Sequence, residues 1–139
     1  MAGGDDAGPQ RKVFPTDRSF RLAARLRSVR FALRGIAVMI RTQHNAWLHA
    51  VATVCVVGCG CWLDLGAVEW CCLVLAMASV WTAESLNTAF EFLADVASPE
   101  FHPLVEQSKD VAAGAVLITS LGAVIIGLLI LGPRLLERL

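Results

Sequence analysis

The stretch Val111–Leu131, VAAGAVLITSLGAVIIGLLIL, decides the fold, because no residue in it carries an ionisable side chain. A helix of about 20 apolar residues is long enough to cross the hydrocarbon core of a bilayer. Ala46–Leu63, AWLHAVATVCVVGCGCWL, is a second such stretch, in which His49 is the one basic residue. Both stretches are predicted to be transmembrane helices.

A third apolar segment begins at Ala67, and its helical pattern continues through Glu84 to about Ala97. Apolar residues make up 56% of the chain, above the ~45–50% that is typical of soluble domains. The sequence therefore predicts an all-α integral membrane protein with three transmembrane helices. Three spans and their flanks use nearly all of the 139 residues, so we expect no separate soluble catalytic domain.

The region before the first span divides into two parts. Residues 1–16 are rich in glycine, proline and charge and are predicted to form a disordered tail without a signal peptide. From Asp17, a suitable N-cap, apolar residues recur every three or four positions at Leu22, Leu26, Val29, Leu33, Ile36 and Ile40. A neighbouring stripe contains Arg27, Arg30, Arg34 and Arg41. This pattern favours an amphipathic helix in the membrane interface over an arginine-rich solvated helix.

These patterns give the predicted boundaries. One membrane domain covers residues 17–139, with an interfacial helix at 17–42 and transmembrane helices at about 46–63, 67–97 and 111–132. The predicted connections are a tight turn at Asp64–Gly66 and a loop at Ser98–Asp110, which contains Pro99 and Pro103. Pro133 is predicted to end the third transmembrane helix.

The basic residues are distributed unevenly along the chain. Of the 12 lysines and arginines, all but Lys109, Arg134 and Arg138 lie before residue 42. Because an apolar run follows, this segment is better suited to anionic lipid headgroups than to nucleic acid. The positive-inside rule predicts a cytoplasmic N-terminus and an outer C-terminus in the cytoplasmic (inner) membrane. Arg134 and Arg138 argue against this orientation but are outnumbered.

The cysteines do not suggest a disulfide framework. Three of them lie in the first span and two at the start of the second: Cys55, Cys59, Cys61, Cys71 and Cys72. A zinc site is one interpretation of the first three, and small apolar packing residues are the favoured one.

Five polar residues share one side of the second transmembrane helix: Glu84, Asn87, Thr88, Glu91 and Asp95. With 3.6 residues per turn, they fall within about one third of the helix circumference. An ionised carboxylate exposed to lipid costs at least ~2.5 kcal/mol, so this polar stripe must face protein, water or a bound cation. Lys109 and Asp110 precede the third span on the same side of the membrane and can converge on it.

Three interpretations of the polar stripe stay open at this point. Carboxylates at this spacing can hold magnesium with a polyphosphate, and a further carboxylate can take a proton from an attacking hydroxyl. Alternatively, Glu84 is the proton carrier of a small transporter, or the stripe only links helices in a structural subunit. A P-loop and the protein-kinase signatures are absent from the sequence.

Two motifs resemble those of a known family. Glu84–Asp95, ESLNTAFEFLAD, resembles the signature E-x-L-N-[ST]-A-[IF]-E-x3-D of prokaryotic diacylglycerol kinases, and HPLVEQSKD, from His102, resembles the signature H-x6-K-D. The similarity extends from about Ser28 to Leu131. It implies a trimeric enzyme with three spans that phosphorylates the hydroxyl group of a lipid, either diacylglycerol or undecaprenol. ATP would be the phosphate donor and Mg²⁺ the cofactor.

The resemblance also implies roles for individual residues. Glu84 matches the catalytic base and Glu91 a metal ligand, while the nucleotide or active-site polar groups correspond to Asn87, Asp95, Lys109 and Asp110. The family commonly has a second metal-binding glutamate just before the first span, where this chain has Gln43. The amide oxygen of glutamine can still coordinate magnesium, but without a charge. His102–Pro103 and the segment AAGAVL at 112–117 look more like the undecaprenol kinase branch.

The third span also contains a small residue at every fourth position, at Ala115, Thr119, Ala123 and Gly127. Small residues allow helix backbones to approach closely in lipid. We therefore expect a homo-oligomer, most simply the trimer that the resemblance implies, although packing within one chain would explain the same pattern.

Overall fold

The computed structural model describes residues 22–138, with side chains from Arg25 onward. This part of the chain contains no β-strand and consists of four helices, α1 (Leu22–Thr42), α2 (His44–Trp62), α3 (Ala67–Ala97) and α4 (Pro103–Arg138). The predicted all-α class is therefore confirmed. The predicted tail at 1–16 and the predicted helix start at Asp17 lie outside the described residues.

The helices α2, α3 and α4 are each long and apolar enough to cross a membrane. Most of their large apolar side chains are exposed, and Val116 is the one buried residue that α4 contributes in the described part of the chain. An apolar surface of this extent is typical of a protein surrounded by lipid or by other membrane helices. The structure and the sequence thus agree on a multi-pass membrane protein.

A single non-helical residue separates α1 from α2. Gln43 has extended backbone angles, φ −107° and ψ 118°, and its N–H donates to the Met39 carbonyl at 2.9 Å. Met39 and Ala46, on either side of this break, are buried, and the Met39 sulfur lies 3.3 Å from the Ser85 hydroxyl oxygen of α3. The break therefore lies against the middle of α3.

The turn between α2 and α3 is tightly packed. Asp64 has a left-handed backbone, φ 51°, and Leu63 and Leu65 form a buried cluster with Leu73. Gly60 permits this packing, because a Cβ atom there would lie 2.8 Å from the Trp70 ring. Tight packing of apolar side chains is thus concentrated at the turn end of the molecule, opposite the polar stripe.

Two sequence predictions for α4 were wrong. The segment 98–110 is not all loop, because α4 begins at Pro103, where a missing N–H costs nothing in the first turn of a helix. Pro133 does not end the helix, which continues to Arg138. Contacts with residues outside α4 stabilise the helix after Pro133. Arg134 donates two hydrogen bonds to Glu69, at 3.0 and 3.1 Å, and Arg138 donates one to Asp64 at 2.9 Å.

Candidate functional site

The polar stripe of α3 runs from the protein interior to the surface. Glu84, Asn87 and Thr88 are buried, Glu91 is half-buried and Asp95 is exposed. Helical periodicity sets this common face, and α3 is in contact with α1, α2 and α4. The stripe therefore faces protein at Glu84 and opens toward water near Asp95.

Three of the predicted site residues form a hydrogen-bonded cluster, here called the amide–carboxylate cluster (Gln43, Asn87 and Glu91). Gln43 Nε2 donates to Glu91 Oε2 at 2.6 Å, and Asn87 Nδ2 donates to Glu91 Oε1 at 2.9 Å. Asn87 and Glu91 are one turn apart on α3, while Gln43 reaches them from the break between α1 and α2. The contact between residues 43 and 91 is a consequence of that break.

Glu84 is the most deeply enclosed ionisable residue among the described side chains. It is 1% exposed, and both of its carboxyl oxygens are buried without a hydrogen-bond partner. Thr88 donates its hydroxyl to the Glu84 backbone carbonyl at 2.9 Å and leaves the carboxyl group free. The nearest basic group is His49 of α2, whose Nε2 lies 3.9 Å from Glu84 Oε2.

The last turns of the stripe contact the start of α4. Lys109 Nζ donates to Asp95 Oδ1 at 2.6 Å, and both side chains are substantially exposed. The structure thus joins two predicted site residues across the 98–102 connection. Asp110 is exposed and makes no ion pair within residues 25–138.

The amide–carboxylate cluster has a donor set that suits a hard cation. A group of three or more histidine, cysteine, aspartate or glutamate side chains able to hold a metal does not occur in the described chain. Glu91 nevertheless offers two carboxylate oxygens, and Asn87 Oδ1 is buried without a partner. A half-rotation of each amide would turn the oxygens of Gln43 and Asn87 toward Glu91. A set of oxygen ligands that includes one charged carboxylate, and that water and phosphate oxygens would complete, fits Mg²⁺.

The cysteines give no comparable site. All five are free and exposed, and none belongs to a metal-binding group of the kind sought between residues 25 and 138. The five cysteines lie on α2 and α3, and their interpretation as small apolar packing residues stays a prediction.

A wide groove lies between α3 and α4 and extends to the polar stripe. Its volume is about 1080 Å³, and its walls are mainly apolar, with Leu75, Leu86, Phe90 and Val111 among the lining residues. Asn87, a member of the amide–carboxylate cluster, also lines it. A long apolar molecule in this groove would reach the polar residues of α3.

Two features were not predicted from the sequence. The first is the contact of His49 with Glu84, although a histidine within an otherwise uncharged span is a signal of a buried polar contact. The second is the pair that Glu69, in the first turn of α3, forms with Arg134 at the end of the molecule away from the polar stripe. One signal was available. Glu69 is an isolated acid at one end of an apolar helix, and Arg134 lies at the same membrane depth on the following helix.

Comparison with known proteins gives consistent matches. Residues 30–131 match the family described as prokaryotic diacylglycerol kinase. The undecaprenol kinase of Bacillus subtilis (strain 168) is 40% identical over 102 residues, which cover 73% of this chain and 83% of that protein. The diacylglycerol kinase of Synechocystis sp. is 38% identical over 111 residues, 79% of this chain and 63% of that protein. The diacylglycerol kinase of Escherichia coli (strain K12) is 36% identical over 87 residues, 58% and 71% of the two chains.

Proposed function

The chain belongs to the prokaryotic diacylglycerol kinase family, and we propose that it is a lipid kinase that transfers the γ-phosphate of ATP to a membrane lipid hydroxyl. The observation that carries the proposal is the pairing of two features on one helix. Glu84 presents a buried carboxyl group without a hydrogen-bond partner, and the amide–carboxylate cluster lies one to two turns farther along α3.

Glu84 acts as the general base in this proposal. The lipid hydroxyl gives its proton to a Glu84 carboxyl oxygen while its own oxygen forms a bond to the γ-phosphorus of ATP. The bond between that phosphorus and the bridging oxygen breaks, and ADP leaves with the electron pair. A carboxyl group that makes no other hydrogen bond is free to accept the substrate proton, and its enclosure excludes water as a competing acceptor.

Glu91, Gln43 and Asn87 would hold Mg²⁺. The bound ion neutralises negative charge on the phosphates that it contacts. Lys109 and Asp95, together with Asp110, lie at the exposed end of the polar stripe, where the ammonium group of Lys109 can attract a nucleotide phosphate. This arrangement separates the nucleotide end of the site from the buried base.

The lipid is proposed to be undecaprenol or diacylglycerol. Relatives with both names match this chain at similar identity. Undecaprenol is our first choice because of His102–Pro103 and the segment at 112–117, and the apolar groove between α3 and α4 suits the chain of either lipid. A radiolabelled phosphate-transfer assay offering both lipids separately tests this choice. Labelled product from neither lipid would refute the proposed function.

The orientation in the cytoplasmic (inner) membrane is also a proposal. Four arginines of α1 are exposed and can face anionic headgroups: Arg27, Arg30, Arg34 and Arg41. A cytoplasmic N-terminus places the polar stripe on the side where ATP is available. The turn at Asp64 and the end of α4 then lie outside.

A homotrimer is the assembly that we propose. A Cβ atom added at Gly127 would meet no other atom within 4 Å, so this part of α4 is open in one chain. Together with the exposed apolar side chains of α4, this open surface suits close contact with a helix of another copy. Neighbouring chains would also shield the polar stripe more completely.

The two alternatives are less well supported. A proton-coupled transporter would explain a buried Glu84, but it has no use for the amide–carboxylate cluster or for Lys109. A purely structural subunit would not need a buried carboxyl group without a partner. Turnover of ATP that depends on an added lipid alcohol separates the kinase from both.

A further inference from the structure

His49 of α2 and Glu84 of α3 face each other where the two helices cross. We propose that His49 is a positioning residue, which orients the Glu84 carboxylate and removes its proton after each phosphoryl transfer. The inference rests on the proposed function and extends it. Its first observation is geometric: His49 Nε2 is 3.9 Å from Glu84 Oε2, and His49 is 14% exposed whereas Glu84 is 1% exposed.

Two contacts join α2 and α3 next to the imidazole ring. Trp81, nearly one turn before Glu84, donates its Nε1–H to Thr53, one turn after His49, at 3.1 Å. The His49 and Trp81 rings lie edge to face, with their centroids 6.4 Å apart. Because α2 and α3 are antiparallel, the pairs 49–84 and 53–81 lie at successive levels of one helix contact. The ring is therefore held beside Glu84 from both helices.

The separation of 3.9 Å is too long for a hydrogen bond, so the two groups are not a closed ion pair. A small side-chain rotation would bring Nε2 within bonding distance, and such contacts often tighten only when substrate binds. The surrounding elements add little competing charge. Glu91 lies on the same face of α3 as Glu84, and the break between α1 and α2 contributes the uncharged Gln43. The helix α4 contributes Ser120 and apolar side chains to the groove beside His49.

The base must lose its proton before the next turnover. Protonated Glu84 has almost no contact with water, so direct release is obstructed. Transfer to Nε2 of neutral His49 regenerates the carboxylate and forms an imidazolium ion. Water that reaches the partly exposed ring then accepts the Nε2 proton, and this restores neutral His49 with Nδ1 still protonated and Nε2 free for the next turnover. Histidine suits this step because a nitrogen of the neutral imidazole ring can accept a proton and later release it.

The test uses His49→Gln and His49→Ala in the full-length protein, assayed with the lipid that the unmodified protein phosphorylates. We expect kcat to fall about 10- to 100-fold, with KM values for ATP and lipid changed by less than about twofold. Added imidazole should restore part of the activity of His49→Ala, because His49 lines a groove of about 590 Å³ through which a small base can enter. His44→Gln, an exposed histidine on the same helix, is the matched control and should retain normal kcat.

The outcomes separate this inference from the proposed function. If the unmodified protein phosphorylates a lipid and both His49 variants retain its kcat, the role of His49 is refuted and the kinase stands. Loss of activity without rescue by imidazole, accompanied by a lower thermal midpoint, would indicate a structural role and also refute it. If the unmodified protein phosphorylates neither lipid, the proposed function fails and the inference fails with it.

Discussion

Replacing Gln43 with glutamate tests whether the amide–carboxylate cluster binds Mg²⁺. Gln43 Nε2 is 2.6 Å from Glu91 Oε2, so Gln43→Glu places a second carboxylate against Glu91. Two unit charges about 4 Å apart interact by ~1 kcal/mol in water and ~4 kcal/mol near a protein surface. Because both side chains are half-buried, we take about 1–2 kcal/mol as the repulsion between them without a cation.

A divalent cation between the two carboxylates converts this repulsion into attraction. Since about 1.4 kcal/mol corresponds to a tenfold change in an equilibrium constant, we expect Gln43→Glu to lower the magnesium concentration for half-maximal activity about tenfold or more. The same variant should have a lower thermal midpoint than the unmodified protein in chelator, and magnesium should raise that midpoint more in the variant.

The measurements are initial rates over a magnesium titration at saturating lipid, and thermal unfolding in mild detergent with and without the ion. Asn45→Asp adds the same charge at an exposed position on α2 and is the matched control. An unchanged or increased magnesium requirement in Gln43→Glu would refute the assignment of the cluster as a metal site. A decrease of equal size in Asn45→Asp would show a general effect of charge instead.

Three other predictions follow from the structure. Glu84→Gln keeps the shape of the side chain but cannot accept a proton, so turnover should fall ~10²–10⁴-fold while ATP still binds. Glu106→Gln, on the first turn of α4, is the control, and near-normal turnover of Glu84→Gln would exclude Glu84 as the base. Gly60→Ala drives a methyl group against the Trp70 ring and should cost about 1–3 kcal/mol in detergent unfolding, whereas Gly58→Ala, with no atom within 4 Å of its added Cβ, should cost nothing. Gly127→Leu should weaken the trimer, measured by crosslinking in mild detergent, and should reduce activity at the same time. Gly122→Leu, on another face of α4, should have a smaller effect on both, and a fully active monomer would contradict this prediction.

Helical periodicity allowed the common face of Glu84, Asn87 and Glu91 to be predicted, because positions three and four residues apart lie on one side of any α-helix. The proximity of Lys109 to the stripe was predicted from the order of the spans, and its contact with Asp95 agrees with that expectation. The contact of Gln43 with Glu91 could not be derived from periodicity. It depends on the direction that α2 takes after one extended residue, which the packing of Met39 and Ala46 determines.

The errors in α4 have one physical origin. Proline removes a hydrogen bond and restricts the residue before it, so Pro99, Pro103 and Pro133 were all interpreted as helix breaks. Pro103 is instead the first residue of α4, where its N–H is not needed. Near Pro133, the contacts of Arg134 with Glu69 support the helix, and these two residues are 65 positions apart in sequence. Local rules do not include partners at such separation.

Two ion pairs that join α4 to the α2–α3 hairpin bear on membrane insertion. Arg134 pairs with Glu69, and Arg138 pairs with Asp64. In the proposed orientation, both arginines must be carried across the bilayer with α4, which is synthesised after α2 and α3. Their acidic partners belong to the α2–α3 hairpin, which can already be in place. Arg138 also lies over the Trp62 ring, with its guanidinium carbon 5.6 Å from the ring centroid. The acidic residues of the hairpin would thus attract the two arginines and favour insertion of α4 with its end on the outer side. The two outer arginines would then be compatible with a cytoplasmic N-terminus.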